Sequence, residues 1–162
     1  MTIKFYAKHL LIVFTVLILG IPAEIIKKLS FSILSLVANV LDSPAFNFVT
    51  GGEPIFGEYY NIFFAGLIAE GMFTVTIIYL NYMIFKKLIK WNLSFTPSIV
   101  FLTVLLAIKW TKNIFFMGDF ANDDYAMLYD LATLTGMIGS LLPIYFAYKG
   151  FDKNGNWTGI KN

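Results

Sequence analysis

Apolar residues run in four long stretches along the chain, at 10–26, 62–85, 97–116 and 127–148, separated by shorter polar intervals. Each is close to the roughly 20 residues with which an α-helix crosses a hydrocarbon core of about 30 Å. The pattern predicts an all-α polytopic membrane protein, with four transmembrane helices in an antiparallel bundle that forms a single integral membrane domain over 1–162.

Between the first two stretches, Phe31, Leu34, Val37, Ala38 and Leu41 recur at helical spacing, with Ser32, Ser35 and Asn39 on other positions. This predicts a short interfacial helix in the first outer loop. A helical extension of the first span is the rival reading. Pro44, Gly51, Gly52 and Pro54 mark turns before the second span. The short connection over 86–96, with Trp91 as an interfacial anchor between Tyr82 and Phe95, implies that the second and third spans are neighbours. Pro97 fits a first helical turn, where its missing N–H costs nothing. After Gly150 the chain turns polar. Asp152, Lys153, Asn154, Gly155 and Asn156 superficially follow a calcium loop, but Gly stands fourth where such a loop needs it sixth, so a surface tail is expected.

Charge then sets an orientation. Lys4 and Lys8, Lys86, Lys87 and Lys90, and Lys149, Lys153 and Lys161 all fall on one side of a four-span arrangement. Lysine marks the cytoplasmic side, so both termini are expected to be cytoplasmic. Lys27 and Lys28 oppose this assignment, and the acidic residues Asp42, Glu53, Glu58, Asp119, Asp123 and Asp124 on the other side support it weakly. The first stretch follows two lysines as a secretory signal would. Ile21, Pro22, Ala23 and Glu24 give no small-x-small cleavage pattern, however, and an uncleaved first span is expected.

Composition agrees and excludes several chemistries. Hydrophobic residues make up 58% of the chain, charged residues 14%, and the mean hydropathy is +0.73, against about 25% charged residues in ordinary soluble domains. The 12 basic residues include no Arg, and the net charge is only +2, which argues against nucleic-acid binding. There is no Cys, which removes disulfides, thiolate ligands and thiol catalysis, and His9 is the sole His. No metal site and no cofactor is expected. Phosphate loops, HExxH pairs and GxSxG elbows are absent from the sequence. The paired-Asp chemistry of lipoprotein signal peptidases is rejected as well, because its Asp-Arg motif cannot exist without Arg.

The candidate chemistry lies in charges within the slab. Glu70 is eight residues past Ile62, about 12 Å deep, and Lys109 is seven before Phe116, about 10 Å deep. Equal depth predicts a pair, since each charge alone is expensive there. Gly66, Glu70, Thr74, Ile77 and Asn81 share a helix face. Glu24, Glu70, Asn81, Lys109, Lys112 and Asp130 are therefore the candidate polar-site or helix-pairing residues. Either they hold helices in register or they form a ligand or ion site. Gly66, Ala132, Gly136 and Ser140 are candidates for close helix packing, with Gly139 beside them.

Pro22 at the end of the first stretch, Glu70 early in the second, Tyr82–Lys87 as YMIFKK, Pro97 opening the third and Pro143, Tyr145 and Phe146 within PIYF form a further pattern. In this arrangement the chain resembles an uncharacterised family of small four-span bacterial inner-membrane proteins. The resemblance implies a multi-pass protein of a bacterial cytoplasmic membrane and supplies no catalytic residue. The functional expectation is an accessory or assembly subunit that meets membrane lipids and a membrane-protein partner or further copies of itself. A small carrier or channel for a proton, cation or solute is the alternative. An enzyme acting on lipid, with Glu24, Asp130 and the loop carboxylates around a divalent cation, is a third reading.

Overall fold

The computed structural model describes residues 3–41, 58–116 and 125–160. They form an all-helical structure of four helices: α1 over Ile3–Leu41, α2 over Glu58–Tyr82, α3 over Thr96–Phe116 and α4 over Tyr125–Gly150. α2 continues into a π-helical segment, Met83–Leu88. Two helical stretches, Ile3–Val37 and Gly66–Leu88, are long and apolar enough to cross a membrane, and Thr96–Thr111 is a shorter apolar helix.

The first outer-loop expectation is corrected here. No separate interfacial helix forms, because the 31–40 segment continues α1 without a break. The 39 residues of α1 extend about 58 Å at 1.5 Å per residue. Pro22 lies inside this helix. It removes one backbone hydrogen bond without ending the helix, as proline does in apolar surroundings where neighbouring helices support the chain. The turn residues Pro44, Gly51, Gly52 and Pro54, and the acidic Asp42, Glu53, Asp119, Asp123 and Asp124, lie outside the described residues.

Each helix turns a narrow stripe inward at spacings of three and four. Ile12, Val16, Leu19 and Ala23 form the stripe on α1, and Glu70, Thr74, Ile77, Asn81 and Phe85 form the one from α2 into the π segment. Ile99, Leu102, Leu106 and Trp110 are buried along α3, with Phe95 buried just before it, and Ser140, Ile144 and Ala147 along α4. This is the period of packed helices.

The order of helices around the core differs from the expected one. α2 packs closely on both α1 and α4, while α3 meets α1 and α4 more sparsely. The backbones of α2 and α3 hardly approach each other despite their short connection. Going round, the order is α1, α2, α4, α3. Glu70 lies level with Gly136, and Tyr82 lies level with Phe151, so α2 and α4 run in the same direction while forming one of the two closest pairs. Glycine accounts for this. A Cβ on Gly139 would stand 2.3 Å from the Leu67 carbonyl oxygen, and one on Gly71 would meet the Gly139 carbonyl at 3.4 Å. Gly139 needs its bare Cα for that approach, whereas a Cβ on Gly71 would make only ordinary van der Waals contact. On the α3 side, Phe95 meets Tyr82 with ring centroids 6.1 Å apart, and the Trp110 ring fills the space beside Gly136.

The lysine-rich end is closed by aromatic contacts. Phe85 stacks on Trp91 at 5.3 Å, and the Lys8 ammonium lies 5.0 Å from the Trp91 ring, tying the start of α1 to the α2–α3 connection. Lys90 reverses the chain with a positive φ of 59°. The tail lies at the surface, as expected, and is folded into a cap. Asp152 accepts hydrogen bonds from the backbone N–H groups of Asn154 and Asn156, Phe151 pairs with Trp157, and Phe151 packs on Tyr82 and Phe95. Gly155, at φ 72°, sits where a Cβ would strike the Leu93 carbonyl at 2.2 Å. A tail so seated needs glycine at that position.

Candidate functional site

The inward stripe of α1 advances from Ile12 through Val16, Leu19 and Ala23, and the next step of four residues reaches Lys27. That step carries an ammonium to Glu70, where Lys27 Nζ donates to Oε1. From α3, Lys109 Nζ donates to the same oxygen at 3.0 Å and to Oε2 at 3.3 Å. One carboxylate on α2 thus binds ammonium groups from α1 and α3. Its own side chain is only 7% exposed, against 23% for Lys27 and 38% for Lys109.

Aromatic rings complete the surroundings. Lys109 Nζ lies 4.7 Å from the Trp110 ring centroid and 5.6 Å from that of Phe73, and Lys27 Nζ lies 5.9 Å from Phe73. Ring faces attract ammonium groups while excluding water, which strengthens the charge pairing. Gly136 makes room on the fourth side, since a Cβ there would meet the Trp110 ring at 2.6 Å and Glu70 Cγ at 3.2 Å.

Other sequence candidates fall in different places. Asn81 is buried about 11 residues further along α2, where its Nδ2 donates to the Ile12 carbonyl at 3.1 Å and to Thr15 Oγ1 at 3.3 Å. It joins α1 to α2 and does not reach the carboxylate of Glu70. Glu24 is half-buried, one turn before Lys27, and forms no ion pair among the described residues. Gly66 is half-buried on α2, and Ser140 is fully buried with its hydroxyl donating to the Gly136 carbonyl at 2.8 Å. Lys112, Asp130 and Ala132 occur on α3 and α4, but their side chains lie outside the described residues. Among the described residues, no group of three or more acidic or His side chains is arranged to hold a metal ion.

Lys27 is the site residue that sequence reasoning missed. It stood in the expected outer loop, and only a continuous α1 brings it onto the Ile12–Ala23 face. Its four-residue spacing from Ala23 was the available signal.

Below the charges, Thr74, Asn81, Ser98 and Ser140 are buried within the bundle. The hydroxyls of Thr74, Ser98 and Ser140 donate to carbonyls three or four residues back in their own segments, as hydroxyls do where helices lack water. A void of about 10 Å³ lies beside Asn81 and Ser98. None of the three charged residues lines it. Comparison with protein-family models, curated proteins and solved structures finds no match to this chain.

Proposed function

We propose that the chain is a multi-pass protein of a bacterial cytoplasmic membrane, crossing it four times with both termini on the cytoplasmic side. On this reading it serves as an accessory or assembly subunit of a membrane complex. The membrane part rests on an inverted distribution of side chains. Glu70, Thr74, Asn81, Ser98, Thr135 and Ser140 are buried, while Leu11, Phe14, Leu17, Ile18, Ile21 and Ile25 are exposed along α1 alone. Water would penalise that arrangement and lipid tails favour it.

The subunit reading is carried by one observation: the buried carboxylate is held by lysines from two other helices, and neither described cavity is lined by any of the three. Such a cluster pins helices together. The working surface is then the outward faces, where a second protein or further copies of this chain would pack.

Purification from native membranes in mild detergent, with crosslinking, is the test. A stoichiometric protein partner or a defined homo-oligomer is expected. A monomer that catalyses solute flux in proteoliposomes, and loses it in Glu70→Gln, would replace this reading with the carrier.

A further inference from the structure

Away from the ion cluster, a groove of about 810 Å³ opens between α2 and α4 toward the lysine-rich end. Its size falls within the roughly 300–1,000 Å³ usual for ligand sites. Helix packing accounts for its origin. α4 is drawn against α2 at Gly139, and further along the same pair of helices the larger Ile78, Leu142 and Phe146 line a space between them. The folded tail floors that space with Phe151 and Trp157, the latter lying where any Cβ on Gly150 would strike its ring at 2.1 Å.

The groove has one apolar end and one basic end. Val75 and Leu142 line the deep end, and Lys87 lies 12 residues beyond Val75 on the same helical path, about 18 Å away. One leaflet of a bilayer core is about 15 Å thick. Lys86 next door is engaged, donating to Asn92 Oδ1 at 3.0 Å and to the Asn154 carbonyl at 3.2 Å. Lys87 is exposed and has no hydrogen bond or ion pair among the described residues. Tyr82 lines the wall between the two ends.

A channel one leaflet deep, apolar at its inner reach and capped by an unengaged ammonium, matches the anatomy of one lipid class. We propose that the α2–α4 groove binds an acyl chain of an anionic phospholipid, with its phosphodiester headgroup on Lys87. The inference rests on the membrane reading above. It assigns the groove to a specific lipid and not to a protein partner.

The test uses the full chain in nanodiscs of phosphatidylcholine, containing a trace of phosphatidylglycerol or of phosphatidylcholine that carries a photoreactive group on its acyl chain. Labelled peptides are then mapped by mass spectrometry. Label is expected to concentrate on the 75–87 and 142–147 segments, with roughly a fivefold preference for the anionic probe, the worth of one lysine beside a charged membrane surface. Lys87→Met should abolish the headgroup preference while the neutral probe still labels the groove. Val75→Trp, at a half-exposed position, should obstruct the deep end and reduce labelling by both probes. Label spread evenly over the groove and the outward face of α1, or equal labelling by the two probes, would overturn the proposal. So would efficient disulfide formation between two chains carrying Tyr79→Cys together with loss of groove label, since a second copy would then be the occupant. A chain that does not enter nanodiscs at all would remove the membrane reading and the proposal with it.

Discussion

Glu70 and its two lysines are not equivalent partners. Glu70 is nearly buried, whereas Lys109 is more than a third exposed and can still reach polar surroundings. Removing the carboxylate leaves two ammonium groups facing each other in an apolar setting, and removing either lysine leaves the other in place. Glu70→Gln should therefore cost about 3 kcal/mol, and Lys109→Met about 1 kcal/mol or less, with Lys27→Met between them because Lys27 is the more enclosed lysine. Thermal unfolding in detergent would rank the three, and a Glu70→Gln variant no weaker than Lys109→Met would contradict the geometry. Asp152 behaves differently because it lies on the surface of the tail. Hydrogen bonds from Asn156 hold its carboxyl below the usual aspartate value, with help from Asn154 and the charge of Lys86. A group depressed by folding contributes stability above its unfolded pKa and loses it as the pH falls through the lower, folded value. The tail cap should thus stay ordered through mild acid and loosen only below the usual aspartate range, which the Gly155 amide resonance would report on titration.

Element pairing follows from where bulk is absent. Gly139 faces a backbone carbonyl that cannot yield without moving α2 itself, while Gly136 faces the ring of Trp110 and the stem of Glu70, which have side-chain freedom. Gly139→Ala should cost on the order of 1–3 kcal/mol, as overpacking does, and Gly136→Ala less, measured by the same unfolding transition. A larger loss at Gly136 would mean that the Trp110 ring has no room to move. The same contacts show what could be read from the chain and what could not. Depth along each helix was legible, because 1.5 Å per residue turns a position into a height, and Glu70 and Lys109 do meet. Order around the bundle was not. A short connection between α2 and α3 suggested neighbours, yet Gly139 of α4, set against the Leu67 backbone of α2, favours a different pair, and that contact depends on two distant segments at once. Continuity of α1 through the 31–40 segment was open as the rival to a separate helix, because the same apolar spacing fits both, and Glu70 receiving Lys27 shows how the longer helix is used.

The whole molecule sorts its residues by height and by face. Lys8, Lys86, Phe85 and Trp91 gather at one end, Glu70 stands well above them with Lys27 and Lys109, and the hydroxyl and amide groups of Thr74, Asn81 and Ser140 fill the interior between. Apolar side chains cover the outside. Composition and hydropathy had announced the last of these features, since 58% hydrophobic residues cannot be enclosed by a chain of 162. The cap formed by Phe151–Trp157 was less visible, because Gly155 and Asp152 read equally well as parts of an unstructured tail until Leu93 and Phe95 are placed beneath them.

The ribosome delivers Lys27 and Glu70 before Lys109. α1 and α2 are consecutive and closely packed, so an emerging chain gives the acid its first counterion as soon as this hairpin closes, before α3 has been made. Lys109, 39 positions further on, then docks beside a carboxylate whose charge is already balanced. The order in time therefore repeats the order in space: the most costly residue to bury is neutralised by its nearest-made partner, and the second half of the protein assembles onto a first half whose buried charge is already balanced.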